Sequence, residues 1–498
     1  MIKKILIGFF AIVILAVGGI WLSLPDNFTV KGPMFDFITG KQLETPSEQT
    51  LAERFNLPDG FQIGIFATKV PHARAMRITK TGDIVVASKR NGDIILLHAD
   101  SDGDGQSDGR TILVSGLQAS PHGVAIKDGY LYVGETTQVT RMPFDAEART
   151  VGETELLLGD LPEGGHDTRT VGFGPDGWLY VTVGSSCNAC VEENPLRATM
   201  LRMRPDGSER TTYATGLRNS VGFDWQPGTG NLYATDNGRD LLGDDIPQCE
   251  LNHIKEGQFY GWPITFDAKV TDPEFGVGKE AEIAASTAMA AGLGAHVAPL
   301  GIKFLNPDNA PAGYENAALI ALHGSWNRSV LSGYKVISAH FAEDGSIMQR
   351  DFLTGFELNE DVVGRPVDII QGNDGTIYIS DDYSGTIYSI GWGDMKVADT
   401  ASIEVTEVST TPLAGFSAEE IAALSAEGQE LFDGGTCVSC HDPEKAPEGI
   451  EIKLLDQLKG RFDVPGIIAL LKSPPAAMPA ADLTDDERKM LAVYLLNQ

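Results

Sequence analysis

Short apolar runs introduced by turn residues recur through the middle of the chain. Six stretches share this pattern: TGDIVVAS (81–88), DGYLYVGE (128–135), DGWLYVTV (176–183), TGNLYATD (229–236), ENAALIAL (315–322) and DGTIYISD (374–381). Five of them carry a glycine turn, and those glycines lie 47, 48, 53 and then 145 residues apart, with ENAALIAL dividing the last interval. Self-similarity at this spacing predicts six copies of a four-stranded unit. We therefore predict an all-β six-bladed propeller over residues 52–393, with the Ala- and Gly-rich segment 264–295 inserted between two units.

The start of the chain has a different pattern. A basic MIKK precedes 18 uncharged residues, 5–22. As a helix they would span roughly 27 Å, close to the thickness of a hydrocarbon core. We expect a single N-terminal transmembrane helix, with a membrane anchor at 1–23 and a tether at 24–51; a cleaved signal sequence is the alternative. The positive-inside rule then places the rest on the periplasmic side of a bacterial inner membrane, or free in the periplasm after cleavage.

The end of the chain is predicted to be a small all-α domain at 412–498, joined by a Thr- and acid-rich linker at 394–411. The stretch CVSCH predicts covalent attachment of one haem c, with thioethers from Cys437 and Cys440 and His441 as the proximal iron ligand. A zinc site would need a second pair of ligands nearby, and none follows His441.

A second iron ligand is predicted further along this domain. Met478 lies between prolines, 37 residues after His441, and a loop methionine is a common sixth ligand. Met490 is the rival, but its helical spacing assigns it to the core. Helices on both sides of the haem motif and a proline-flanked methionine resemble a small class I cytochrome c.

The charge balance limits the function classes. The 498 residues include 38 basic and 69 acidic ones, which gives a net charge of −31. Nucleic-acid binding needs a basic surface, so this class is excluded. The acidic surface is compatible with docking to a positively charged redox partner, since charge steers encounter; a merely solvated surface is the alternative.

Polar clusters join the repeated stretches in a distinctive order. They are GGHDTRTVGFGPDGWLYVTVG (164–184), ATGLRNSVGFDW (214–225), TDNGRDLLGDD (235–245), YGWP (260–263), HGSWNRS (323–329) and GRPVDI (364–369). Together they resemble the soluble PQQ-dependent glucose dehydrogenase family, and in detail its L-sorbosone and pyranose dehydrogenase branch. The resemblance implies oxidation of a sugar or related alcohol or aldehyde by hydride transfer to PQQ. Electrons would then pass to the haem and on to an external acceptor such as a cytochrome, a quinone or an oxidase.

The resemblance also implies roles for individual residues. His166 matches the general base, and an imidazole suits removal of the hydroxyl proton as the hydride leaves. Arg218 and Asn219 match the pair that holds the reactive quinone edge, where a cation and an amide stabilise developing charge. The main-chain carbonyls of Gly238 and Arg239 match those that bind the Ca²⁺ of the cofactor.

The same resemblance implies which cations neutralise the carboxylates of the cofactor. Arg365 matches such a cation. The glucose enzyme has a Lys, an Arg and a Gln where this chain has Asn327, Val367 and Val221. We expect Arg328 to replace part of the missing charge.

Other candidates stand outside these motifs. DSDGDGQSD (100–108) spaces four carboxylates as in a calcium loop, and we predict a second, structural Ca²⁺ held by Asp100, Asp102, Asp104 and Asp108; a solvated acidic turn is the alternative. Outside the cytoplasm, Cys187 and Cys190 are expected to form a local disulfide.

Three further side chains are left with weaker assignments. Cys249 has no assigned role, and His122 is assigned to the core. His296 lies where the family places residues on the substrate side.

The main alternative for the whole protein comes from a different class. A propeller that only binds a ligand, joined to an independent electron-carrier cytochrome, would need no PQQ. A propeller hydrolase of the lactonase type would use calcium but would have no reason to carry a haem.

Overall fold

The computed structural model describes residues 41–393 without a gap, together with positions 33, 395, 397, 413, 445 and 455 and the ranges 416–434, 437–441, 464–472 and 483–497. The chain divides into two compact units, 1–401 and 402–498. Each unit is described by itself.

The first unit is a six-bladed β-propeller, as the repeats predict. Each blade is an antiparallel sheet built on four strands, and in the second blade a fifth, two-residue strand at Thr150–Val151 pairs with the third strand. The first three blades are β2 Ala73–Ile78, β3 Ile84–Ser88, β4 Asp93–Leu97 and β5 Arg110–Val114; β6 Pro121–Lys127, β7 Tyr130–Glu135, β8 Gln138–Asp145 and β10 Glu155–Leu158; and β11 Val171–Phe173, β12 Leu179–Val183, β13 Thr199–Met203 and β14 Thr211–Thr215. The next two are β15 Phe223–Trp225, β16 Leu232–Asp236, β17 Gln248–Ile254 and β20 Ala291–Ala295; and β21 Pro299–Phe304, β22 Ala317–Leu322, β23 Lys335–Phe341 and β24 Ile347–Leu353.

The sixth blade closes the ring by combining both ends of the propeller. It contains β27 Pro366–Gln371, β28 Ile377–Asp381, β29 Thr386–Trp392 and, as its outer strand, β1 Phe61–Ala67. The smaller elements are β9 Thr150–Val151, β18 Thr265–Phe266, β19 Val270–Thr271, β25 Glu357–Leu358, β26 Asp361–Val362, the helices α1 Glu48–Arg54 and α2 Glu280–Ala285, and a 3₁₀ turn at Pro307–Asn309.

All six repeated stretches form the second strand of a blade. In β3, β12, β16 and β22 every residue is buried. A strand covered on both faces by neighbouring blades carries a continuous apolar run, because neither face meets water. The expectation for 264–295 was wrong in one respect, because β20 is the outer strand of the fourth blade and pairs with β17. Its sequence, AGLGA, lacks the β-branched residues that indicate a strand.

The second unit contains four described helices. They are α3 Ala418–Gly434, α4 Val438–His441, α5 Val464–Lys472 and α6 Asp485–Asn497. Ile467, Leu491 and Leu496 lie in their shared core, and Cys437 packs against it half-buried. Thr484 caps α6, since its hydroxyl accepts from the amide of Glu487 and the Glu487 carboxylate accepts from the amide of Thr484.

Several predictions concern residues that are not described. Met478 and the anchor at 1–23 both lie outside the described residues. Within the described ranges, no helix is long and apolar enough to cross a membrane.

The first strands of neighbouring blades pack closely against each other, and this leads to a prediction about the stability of the propeller. A Cβ on Gly222 would lie 2.1 Å from the main-chain oxygen of Leu300 in the next blade, whereas a Cβ on Gly159 would lie 3.5 Å from its nearest neighbour, Leu156. We expect Gly222→Ala to lower the free energy of unfolding of the propeller by about 1–3 kcal/mol through overpacking. Denaturant unfolding followed by circular dichroism checks this, with Gly159→Ala as the control. Equal unfolding midpoints for the two variants would show that the blades can separate to accept a methyl group.

Candidate active site

A cavity of about 540 Å³ opens among loops at one end of the propeller. Most of its walls come from the segments that precede the first strand of a blade or follow the second strand, and Arg74 and Leu300 lie at the start of first strands. Because these two strands are antiparallel, both kinds of segment lie at the same end of every blade. His166, which precedes β11, Asn219, which precedes β15, and Arg365, which precedes β27, all line this cavity.

The cavity carries more positive than negative charge. Five cations line it: Lys41, Arg74, Lys89, Arg90 and Arg365. Two carboxylates, Asp167 and Asp382, also line it. The surplus of positive charge contrasts with the net charge of −31 for the chain, and it favours a ligand with several negative groups.

Both carboxylates form close ion pairs with cations of the cavity. Lys89 Nζ lies 2.7 Å from Asp167 Oδ1, and Arg74 Nη1 lies 2.7 Å from Asp382 Oδ2. Asp382 also accepts a hydrogen bond from His323 Nε2 at 2.9 Å. Burial tends to raise the pKa of Asp382, but His323 and Arg74 together hold it well below its usual range. Asp382 is therefore an anchored anion that fixes Arg74 and His323 in place.

The predicted base, His166, is held firmly from its main-chain side. Its carbonyl accepts hydrogen bonds from Arg169 Nη1 at 3.0 Å and Arg197 Nη1 at 3.4 Å, and its amide donates to the carbonyl of Ser185 at 2.9 Å. Burial and the nearby charge of Arg218 lower the pKa of His166 to about 4. The imidazole is therefore neutral near pH 7 and able to accept a proton.

Asn219 lies beside His166 and offers an unsatisfied acceptor. Its Oδ1 is buried and has no hydrogen-bond partner among the described residues. A Cβ on Gly184 would lie 2.5 Å from Cβ of His166 and 3.0 Å from Asn219 Oδ1, so a glycine is required for the two side chains to approach here. A buried polar atom without a partner costs free energy, and a ligand in the cavity that donates a hydrogen bond would relieve this cost.

The side chain of Arg218 does not lie in the cavity, where its predicted role beside the quinone edge would place it. Instead Nε donates to the carbonyl of Asn188 at 2.8 Å, and Nη2 donates to Asn188 Oδ1 at 2.9 Å and to Asp240 Oδ2 at 3.2 Å. Arg218 is thus fixed beside the cavity and acts on His166 through its charge.

Gly238 and Arg239 line a second, much smaller cavity of about 20 Å³. Three carboxylates share this lining: Asp236, Glu250 and Asp272. The Arg239 side chain pairs with Asp272 at 2.7 Å. The predicted calcium ligands are therefore next to oxygen-rich groups, in a space separate from the large cavity.

Arg328 also lies away from the large cavity. It donates to the carbonyl of Asp244 and pairs with Asp245 at 3.1 Å. The charge that we expected it to supply comes instead from residues that the sequence did not single out, such as Lys89 and Arg90.

The predicted second calcium loop lies between β4 and β5. Carboxylate oxygens of Asp100, Asp102 and Asp108 lie within 4.8 Å of one another, and Asp104 is not part of this group. All four side chains also accept hydrogen bonds from main-chain amides of the same loop: Asp100 from Gly103 and Gly105, Asp102 from Asp104, Asp104 from Gln106 and Asp108 from Ser101. The second calcium stays a prediction.

The remaining candidates have structural partners. Cys187 and Cys190 form the expected disulfide. His122 is buried and accepts a hydrogen bond from Arg74 Nε at 3.1 Å. His296 Nε2 donates to the carbonyl of Gly243 at 2.7 Å, and its side chain does not line the large cavity. Cys249 is buried in β17.

In the second unit, the stretch CVSCH (437–441), for which haem attachment is predicted, consists of Cys437 followed by α4. The amide of His441 donates to the carbonyl of Cys437 at 3.0 Å, so both lie on one turn of helix. This spacing keeps the two residues close, as attachment to a single haem requires.

Sequence reasoning missed Lys89, Arg90, His323 and Asp382. A sequence signal for them exists, because each lies one or two positions after the end of a repeated stretch. Ser88 ends the first stretch, Leu322 the fifth and Asp381 the sixth. Polar residues that follow the second strands of successive blades must meet at one end of the ring.

Comparison with known proteins agrees with this geometry. A family model described as TrAA12-like matches residues 55–256 and 279–393. The chain belongs to this family. The family model does not match residues 257–278, which include β18 and β19.

Solved structures share the fold of the propeller. An iodide structure of Trichoderma reesei Carbohydrate-Active Enzymes Family AA12 is 21% identical, with a TM-score of 0.63 over 70% of this chain and 99% of that one. The holo form of the pyranose dehydrogenase PQQ domain from Coprinopsis cinerea is 20% identical, with a TM-score of 0.59 over 68% and 97%. The apo form of the soluble aldose sugar dehydrogenase from Escherichia coli is 16% identical, with a TM-score of 0.53 over 67% and 100%.

Curated relatives match over shorter stretches. An uncharacterized protein of Borreliella burgdorferi is 37% identical over 216 residues, which is 43% of this chain and 56% of that protein. The protein slr1608 of Synechocystis is 28% identical over 159 residues, or 27% and 37%. The matches thus span about half or less of these relatives.

The environment of His166 generates a prediction about its titration. With a pKa of about 4, its ring should gain a proton only well below pH 6.5, and Arg218→Gln should raise that midpoint because a repelling charge is removed. Proton NMR of the histidine rings against pH checks this in the full chain, with His340 on β23 as an internal control. A His166 midpoint near 6.5 in the unmodified protein would show that the ring is hydrated.

Proposed function

We propose that the chain is a quinoprotein dehydrogenase that uses PQQ to oxidise a sugar or a related alcohol or aldehyde. In this proposal the C-terminal unit carries one covalent haem c and passes electrons to an external acceptor. The observation that carries the proposal is the cavity where five cations and a neutral imidazole meet. The family membership supports it, and so do the PQQ-binding and sugar-dehydrogenase structures with the same fold.

The residues of the cavity fit a flat ligand with three carboxylates. Arg74, Lys89 and Arg365 offer the charge that such a ligand needs, and Trp326 offers an aromatic face in the same lining. The unsatisfied Oδ1 of Asn219 can accept a hydrogen bond from it. Arg365 is held for this role, because it donates to the main-chain carbonyls of His323 at 3.2 Å and Gly324 at 3.4 Å.

When bound, PQQ would supply the oxidant that takes a hydride from carbon. His166 accepts the proton of the substrate hydroxyl, which must leave as the hydride leaves. Burial keeps His166 neutral, so this acceptor is available without a prior deprotonation. Gly238 and Arg239 would hold the calcium through their carbonyls, next to the carboxylates of the small cavity.

The remaining parts of the proposal concern the ends of the chain. Cys437, Cys440 and His441 would hold the haem, with Met478 as the second axial ligand. The anchor at 1–23 would keep the protein on the periplasmic side of the inner membrane.

A reconstitution experiment tests the whole proposal. The purified full-length protein is incubated with PQQ and Ca²⁺, and sugars, alcohols and aldehydes are screened for reduction of the haem absorbance and of an added dye. Substrate-dependent reduction that requires both PQQ and Ca²⁺ is the expected result. A protein that binds no PQQ and reduces no dye would favour the ligand-binding propeller with an independent cytochrome.

His166→Ala should lower kcat by roughly 10²–10⁴-fold with little change in KM, because proton removal belongs to the transition state. PQQ should still bind, since the cations of the cavity are intact. Steady-state kinetics and PQQ titration by absorbance check both statements. His340→Ala, on the third strand of the fifth blade, is the matched control. Near-normal turnover by His166→Ala would show that His166 is not the base, and His323 would be the next candidate.

The haem is predicted to be the exit for electrons. The double variant Cys437→Ala/Cys440→Ala should lose covalent haem, and it should oxidise substrate with an artificial dye but not with a protein acceptor. Haem staining after denaturing electrophoresis and parallel dye and acceptor assays measure this. Covalent haem in the double variant would refute the attachment site, and loss of dye activity would show that the propeller needs the haem for turnover.

A further inference from the structure

The disulfide loop after β12 contacts the groups that surround His166. Ser185, Cys187 and Asn188 lie on this loop, and the Cys187–Cys190 bond closes it into a small ring. Ser185 reaches the imidazole, and Asn188 reaches Arg218. Ser185 precedes the ring, so the ring reaches His166 indirectly, through the Cys187 carbonyl that accepts from the Ser185 hydroxyl. Asn188, within the ring, contacts the buried Arg218 directly.

The hydrogen bonds around Ser185 determine the proton position on His166. A hydroxyl has a single proton. Ser185 Oγ donates it to the carbonyl of Cys187 at 2.8 Å, since a carbonyl can only accept. Toward His166 Nδ1, which lies 2.8 Å away, Ser185 Oγ is therefore an acceptor. The carbonyl of Ser185, 3.2 Å from the same nitrogen, is a second acceptor.

Two acceptors facing Nδ1 require that Nδ1 carries the proton of the neutral ring. The lone pair is then on Nε2, the nitrogen that a base must use. If the Cys187 carbonyl moved away, the Ser185 hydroxyl would be able to rotate and donate to Nδ1. That rotation would favour the opposite tautomer, in which Nε2 holds the proton and cannot accept another.

The same loop fixes the charge next to His166. Asn188 Oδ1 accepts from Arg218 Nη2 at 2.9 Å and from the amide of Asp240 at 2.7 Å, and Asn188 Nδ2 donates to the carbonyl of Asp240 at 3.0 Å. The amide of Ser185 donates in turn to the carbonyl of Arg218 at 2.8 Å.

We propose that the ring closed by Cys187 and Cys190 is a positioning element, which sets the tautomer of His166 through Ser185 and holds Arg218 through Asn188. The catalytic consequence rests on the proposed function, whereas the tautomer itself does not. Neither cysteine takes part in chemistry.

Nitrogen NMR of the full-length protein labelled with ¹⁵N-histidine tests the tautomer without substrate or cofactor. Comparison with His166→Gln assigns the signal among the nine histidines. We expect Nδ1–H in the unmodified protein. In Cys187→Ala/Cys190→Ala we expect a substantial Nε2–H population and, in the reconstituted enzyme, a kcat lower by roughly 10- to 100-fold at similar KM. A wrong tautomer costs up to about 10⁴-fold in a catalytic triad.

A third substitution separates positioning from general damage. Adding Ser185→Ala to the open-ring variant removes the competing donor and leaves the main-chain carbonyl at 185 as acceptor. The Nδ1–H tautomer and part of kcat should therefore return, which a merely destabilised loop would not show. Val191→Ala, an exposed position in the same loop, is the matched control and should match the unmodified protein in both readouts.

Two results would overturn the proposal: an Nε2–H tautomer in the unmodified protein, or an unchanged tautomer in the open-ring variant. Failure of the proposed function is a different result. In that case the reconstituted protein would bind no PQQ and reduce no dye, while the tautomer of His166 still responded to the ring and to Ser185.

Discussion

The pairing of the first propeller strand with the last is the constraint on which the site depends. β1 pairs with β29 from Phe61 opposite Trp392 to Ala67 opposite Ile387. This pairing closes the ring and brings together segments that are more than 300 residues apart in sequence. The ion pair of Arg74 with Asp382 spans 308 positions and forms across the junction of the first and sixth blades. Without closure, the cavity would lose the wall that fixes Arg74 and His323.

The fold could be predicted from sequence because its signal is local. A turn followed by a fully buried strand needs only eight residues to be recognised, and each of the six stretches is the second strand of a blade. β20 was missed because its residues are small and its place is set by pairing with β17, more than 35 positions away along the chain.

The site was only partly predictable, for a related physical reason. His166, Asn219 and Arg365 lie within a few residues before the first strands that begin at Val171, Phe223 and Pro366, so the strand direction fixes which end of the propeller they occupy. Arg218 also precedes a first strand, but its long side chain follows its hydrogen-bond partners, Asn188 and Asp240. Those partners come from other loops, and no local pattern in the sequence indicates where they lie.

Under the proposed function, the cavity and its surroundings must meet two demands that would otherwise conflict. An anionic cofactor needs nearby cations, and a proton acceptor must stay neutral. An anion close to a histidine favours its protonated form, whereas a buried cation opposes it. Arg218 lies behind the loop that contacts His166 and lowers its pKa without occupying the cavity. Arg365 and Lys89 in the lining are then available to the ligand, while the base keeps its lone pair. The contact role of Arg218 expected from the family resemblance stays a prediction, because in the described structure its side chain does not line the large cavity and its charge acts on His166 from outside it.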